Sequence, residues 1–107
     1  MSIPTMRIRI RVRLLAPGQG GRTHPIASDY RPNWDIGDRT ADGGIVLYMG
    51  RIIDLERELL DPGDECAAAI DPYSAEGWSR VKPGDRLTLL EGPHRVVGRA
   101  VVESIEP

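Results

Sequence analysis

From Met6 to Leu14 the chain alternates without a break between aliphatic and arginine side chains. A period of two sends Ile8, Ile10, Val12 and Leu14 to one face and Arg7, Arg9, Arg11 and Arg13 to the other, whereas a helix would smear both sets around its circumference. The segment is therefore a half-buried strand with its aliphatics inward and its guanidinium groups in water. Such a strand needs partners along its edges and a second layer over its apolar face, so the rest of the chain is constrained to supply them.

The punctuation that follows agrees with an all-β chain. Ala16 to Gly21 contains Pro17 and three glycines, which end a ladder and permit positive φ. Ile45 to Met49 reads as a short strand with glycine at each end, after turn-forming residues from Arg39 to Gly44. Ile52 to Leu60 fits alternation through Ile53, Leu55 and Leu59, yet its Glu and Leu also favour helix; strand is the expectation. Pro62-Gly63-Asp64 and Pro83-Gly84-Asp85 are matching turns that announce strands over Glu65 to Ile70 and Arg86 to Glu91. Between them, Pro72 to Trp78 predicts a single helical turn that packs Trp78. After the tight connection Glu91-Gly92-Pro93-His94, a last strand runs from Arg95 to Ile105, with Val96, Gly98, Ala100 and Val102 as its inward face. Many short strands joined by Gly and Pro predict a closed antiparallel β-barrel, a fold that leaves no exposed edge.

At 107 residues one domain over the whole chain is expected, without need of disulfide or metal. The lone Cys66 cannot form an internal bridge, and no long apolar run opens the chain, so a cytoplasmic location and no membrane association are expected. The net charge of -2 hides a polarity. Residues 1 to 31 hold six arginines against Asp29, while the remainder holds eight basic and fifteen acidic residues. Lys82 is the one lysine among the basic residues. Arginine suits bidentate phosphate contacts, although GC-rich coding yields the same bias.

Five pieces, in order and spacing, resemble the third, C-terminal β-barrel domain of elongation factor Tu. Arg7 to Leu15 is similar to its opening strand, Gly20-Gly21-Arg22-Thr23-His24-Pro25 to its Gly-Gly-Arg-His-Thr-Pro signature, and Tyr30-Arg31-Pro32-Asn33 to its Tyr-Arg-Pro-Gln. Pro62 to Asp64 matches its turn, and Glu91 to Ala100 its closing Glu-Gly-Gly-Arg-Thr-Val-Gly-x-Gly strand. The resemblance implies a six-stranded antiparallel barrel standing free of a GTPase domain. It also implies contacts to the T-stem backbone of aminoacyl-tRNA from Arg22 and Thr23 in the signature and from Glu91 and Gly92 in the turn. The His-Thr order is reversed in this chain, and Pro93 replaces the second turn glycine. The phosphate-cradling Gly-x-x-x-x-Gly-Lys-Ser/Thr loop does not occur, so no nucleotide binding is expected.

The candidate binding residues are Arg22, Thr23, His24, Glu91 and Gly92, with Arg9 and Arg11 from the opening strand. Arginines two apart on a strand stand about 7 Å apart, a spacing that suits a row of phosphates. Cross-strand pairing with acids such as Asp54, Glu56 and Glu58 is the plainer account of that row. Arg22, His24, Tyr30 and Arg31 combine charge with stacking surface, as RNA-binding faces do. The structural account instead has Tyr30 and Trp34 filling the barrel and Arg31 pairing with a carboxylate. His94 is expected in solvent and Cys66 as an apolar filler. Two His and one Cys lack the spacing of a zinc site, the Asp residues fit no calcium loop, and no Ser sits in a nucleophile elbow. No catalytic residue, cofactor or metal is expected. The leading expectation is thus a binding protein for RNA or a translation-associated protein. The alternative is a protein-interaction or homo-oligomer module using Tyr48, Met49, Ile52 or Trp78, and a small hydrolase comes third.

Overall fold

The computed structural model describes residues 6–107. Six strands, β1 (Arg7–Leu14), β2 (Asn33–Arg39), β3 (Ile45–Ile53), β4 (Glu65–Pro72), β5 (Arg86–Glu91) and β6 (Arg95–Glu106), join in the ring order β1-β4-β3-β2-β5-β6 and close back onto β1. Every pairing is antiparallel. One helical turn, α1 (Ala75–Trp78), interrupts the route from β4 to β5. Among the described residues no helix is long and apolar enough to cross a membrane.

The alternation of β1 does what its period demands. Ile8, Ile10, Val12 and Leu14 are wholly buried, while β4 covers one edge of the strand and β6 the other. Their neighbours in the core include Trp34, Ile52, Ile70, Leu87, Leu89 and Val97, drawn from all the remaining strands. Cys66 also lies in this core, and burial pushes its thiol up, away from the nucleophilic thiolate.

Three sequence expectations are corrected. Ile52 to Leu60 is not a strand: β3 ends at Ile53, and Asp54 turns the chain with φ 52°, a left-handed conformation that Asp tolerates better than branched residues. Leu60 is instead pinned across Ile26 by two backbone hydrogen bonds of 3.0 and 2.9 Å. Gly50 does not bound a strand either, since β3 runs straight through it. In β6 the inward residue is Val97 rather than Val96, because the register shifts between Leu89 and Leu90 and the bulge reverses the parity ahead of Gly98. β2 carried no alternation to announce it: its Asp-rich run is irregular between Asp35 and Arg39, with Gly37 at φ 102°.

Gly50 is required by packing. Trp34 and Trp78 meet edge to face with centroids 5.9 Å apart, and Trp34 Nε1 donates to the Gly50 carbonyl at 2.9 Å. Trp78 Nε1 donates to the Met49 carbonyl at 3.2 Å, so two indoles close over one short stretch of β3. A Cβ at Gly50 would stand 2.7 Å from the Ile70 side chain and 3.1 Å from Trp78. Gly50→Ala is expected to cost about 1–3 kcal/mol as overpacking, or roughly 4–8 °C in melting temperature per kcal/mol. Gly18→Ala, where a Cβ meets nothing within 4 Å, should leave the melt unchanged. Thermal unfolding followed by circular dichroism compares the two.

Candidate functional site

The connection from β1 to β2 and the β5–β6 hairpin meet at one end of the ring. After Leu14, Leu15 donates its N–H to the Val97 carbonyl at 3.0 Å, and Pro17–Gln19 makes a 3-10 turn that Gly20 ends at φ 86°. Gly21 then folds back, its N–H on the Ala16 carbonyl at 3.2 Å, so tightly that a Cβ would lie 2.3 Å from the Leu15 carbonyl oxygen. The glycine pair therefore sets the direction in which Arg22 leaves the loop. On the return leg, buried Ile26 anchors the loop through its bridge to Leu60.

Across from it, Glu91 and Arg95 face each other at the base of the hairpin, with Gly92 at φ 65° turning the corner. Glu91 Oε2 accepts from the Tyr30 hydroxyl at 2.6 Å and from Arg22 Nη1. The Arg22 guanidinium lies over the Tyr30 ring, 5.1 Å from its centroid, and Nε donates to the His24 carbonyl at 3.2 Å. Arg95 reaches Glu91 Oε1 at 3.8 Å and donates to the Gly21 carbonyl at 3.2 Å. Asn33 Nδ2 donates to the Gly92 carbonyl at 3.0 Å. Loop, hairpin and the start of β2 are thus tied together by side chains, which preorganises the surface they share.

Electrostatics follow from this geometry. Burial by itself would raise the Glu91 carboxyl, but the Tyr30 hydrogen bond and the Arg22 and Arg95 guanidinium groups hold it below the ordinary glutamate range. Tyr30 is pushed well above the usual tyrosine range, first by burial and then by its hydrogen bond to the Glu91 carboxylate. The Arg22 and Glu91 side chains remain 23% and 27% exposed, so the pair is sheltered yet reachable.

Of the residues singled out in the sequence, Arg22, Glu91 and Gly92 converge, with His24 touching Arg22 through its carbonyl and Thr23 exposed on the same loop. Arg9 and Arg11 do not join them. Arg9 donates to Glu106 at 2.7 Å and Asp54 at 3.2 Å, and Arg11 to Glu65 at 2.5 Å. Arg9 lies opposite Ser104 while Glu91 lies opposite Arg95, nine residues or about 30 Å away along β6. Among the described residues Arg31 has no carboxylate partner, so the structural account of that residue does not hold, and His94 is exposed. Arg95 and Asn33 went unnoticed as site residues, although Glu91 and Arg95 flanking a tight turn is the signal of a cross-strand ion pair. Among the described residues no three His, Cys, Asp or Glu groups gather as a metal site.

Because the folded Glu91 titrates below its unfolded value, its contribution to stability is complete above the unfolded value of about 4.3 and is lost as pH falls through the lower folded one. Glu91→Gln should therefore flatten the acid limb of the melting temperature against pH. Scanning calorimetry from neutral pH downward reads it, and an unchanged slope would contradict the pairing.

No family model matches the chain. It is similar to Elongation factor Tu 2 of Streptomyces avermitilis, 33% identical over 104 residues. Those residues are 97% of this chain and 24% of the factor, so the chain spans about a quarter of the length of the curated relative it matches. Over nearly its whole length, then, this chain resembles a single β-sheet domain's worth of elongation factor Tu.

Proposed function

We propose that this chain is a non-catalytic binding domain of the elongation factor Tu third-domain type, and that it recognises an RNA stem through Arg22, Thr23, His24, Glu91 and Gly92. The observation that carries the reading is the meeting of Arg22 and Glu91, two positions 69 residues apart that the resemblance implies independently. A carboxylate beside an arginine would be a poor choice against phosphates alone. It suits the shallow minor groove of RNA, where ribose 2′-hydroxyls donate hydrogen bonds next to the backbone phosphates. Arg22 keeps donors that Glu91 and His24 do not occupy, and Tyr30 beneath it limits its rotamers, so binding has little left to order.

Fluorescence anisotropy with an RNA hairpin and a DNA hairpin of equal sequence tests this. Tighter binding of RNA is expected, with Arg22→Ala making the dependence of log K on log salt shallower by about one unit. Glu91→Ala should narrow the RNA preference. Equal affinity for both hairpins, or no binding at low salt, would remove the reading.

A second reading, docking of a protein partner, is favoured by one feature. Met49 and Tyr73 are 57% and 83% exposed and adjacent, around a depression lined also by Arg31, Pro32, Arg51 and Pro72. Ile52 and Trp78, expected on such a surface, are buried instead. If this face pairs copies of the chain, sedimentation of the wild type should show a dimer that Tyr73→Ser with Met49→Ser dissociates.

A further inference from the structure

Four arginines, Arg13, Arg31, Arg86 and Arg99, make no ion pair among the described residues, and three of the four share one outer face. Arg13 of β1 stands directly opposite Arg99 of β6. Arg99 in turn faces Thr88 of β5, two residues from Arg86, and donates to the Thr88 hydroxyl at 3.5 Å. All three guanidinium groups are exposed. Like charges set directly opposite across strands weaken a sheet. Elsewhere in β1 this chain avoids that cost by giving Arg7, Arg9 and Arg11 acidic partners. Arg13 also stands opposite Glu65 of β4, but that carboxylate is taken by Arg11, so Arg13 and Arg99 are left without an ion pair among the described residues, in a chain of net negative charge.

The face adjoins the loop site. Arg95, which holds the Gly21 carbonyl, is four residues before Arg99 on the same strand, about 13 Å. Arg13 comes two residues before Leu15, where the chain leaves for the loop. Past Val101 the outer face of β6 turns acidic with Glu103 and Glu106, so the cationic stretch has an end as well as a beginning.

We propose that the RNA footprint continues from the Arg22 loop down the outer face of β1, β6 and β5, with Arg13, Arg99 and Arg86 contacting successive phosphates; this rests on the RNA reading above. Neighbouring strands are about 4.8 Å apart, so the three cations cover a width that a backbone crossing the strands obliquely can follow. Arg13 and Arg99 line a surface depression together with Arg11, Glu65, Ala100, Val101 and Glu103, and an extended polyanion with dense line charge is the ligand that gains most along its cationic side by releasing counterions. The guanidinium fork matches phosphate oxygens in pairs. The row Arg7, Arg9 and Arg11 lies outside the footprint because its charges are already matched.

Anisotropy titrations of the full chain with a blunt RNA hairpin over a salt series decide the matter. Arg13→Gln with Arg99→Gln should make the salt slope shallower by about two units, and Arg86→Gln by about one, while Arg7→Gln leaves it unchanged. The double variant should melt at or above the wild-type temperature, since a repulsion is removed, so a loss of binding is not a loss of fold. A wild type that binds the hairpin with a slope unaffected by the double substitution overturns this footprint and leaves the Arg22 reading standing. A wild type that binds no RNA overturns both. Capture of polyglutamate on this face, abolished by the double variant while the RNA titration stays flat, would assign it to an acidic protein.

Discussion

The two-sided pairing of β1 is the interaction on which everything else rests. Its four buried aliphatics hold the middle of the core, and its two edges are the seams at which β4 and β6 close the ring. A slip of one residue against either neighbour would turn the arginines inward and the aliphatics out, an exchange that no burial of apolar surface could repay. Register is therefore fixed by which groups can leave water. Once it is fixed, the positions of Leu15, Val97 and Gly98 follow, and with them the root of the loop that carries Arg22. Gly98 is part of that seam, since a Cβ there would meet the Arg13 carbonyl oxygen at 2.8 Å.

A second constraint works from the opposite wall. Trp34 and Trp78 share the space above Gly50, and each indole N–H finds a backbone carbonyl of β3, so two bulky groups are buried with no orphaned donor. This fixes β2, whose sequence has little strand character of its own, and through Asn33 it reaches the Gly92 carbonyl at the hairpin. The loop site thus depends on both walls of the ring. Its rigidity derives from the scaffold rather than from the loop residues themselves.

At the site, charge is arranged for compromise. Arg22 is held by Glu91 and Tyr30, which orients it but spends part of its charge, and Glu91 offers an acceptor where phosphate recognition alone would want none. That combination favours a ligand with donors and acceptors interleaved. The neighbouring outer face shows the reverse arrangement, with Arg13 and Arg99 opposed and neither in an ion pair among the described residues. Sheltered pairing gives geometry, and exposed unpaired charge gives long-range attraction.

Much of this was legible in the chain. The alternation of Met6 to Leu14, the two Pro-Gly-Asp turns and the Gly-rich breaks are local signals, and the strands they imply over β1, β4, β5 and β6 are present because no tertiary contact opposes them. The likeness to elongation factor Tu was readable for the same reason, as ordered motifs along one line. What stayed hidden depended on residues far apart. β2 forms because Trp34 is captured by β3, β3 continues past Gly50 because only glycine fits beneath the indoles, and Val97 replaces Val96 because a bulge in the hairpin shifts parity. Which arginines stay free was equally a matter of the ring, since Glu65 and Asp54 reach Arg11 and Arg9 only after closure, and Glu65, though it stands opposite Arg13, is taken by Arg11. Sequence by itself determined that the β1, β4, β5 and β6 segments extend and which face of β1 is dry, for those are properties of neighbours along the backbone. Tertiary structure decided which charges are spent and which remain, because an ion pair is set by distance in space.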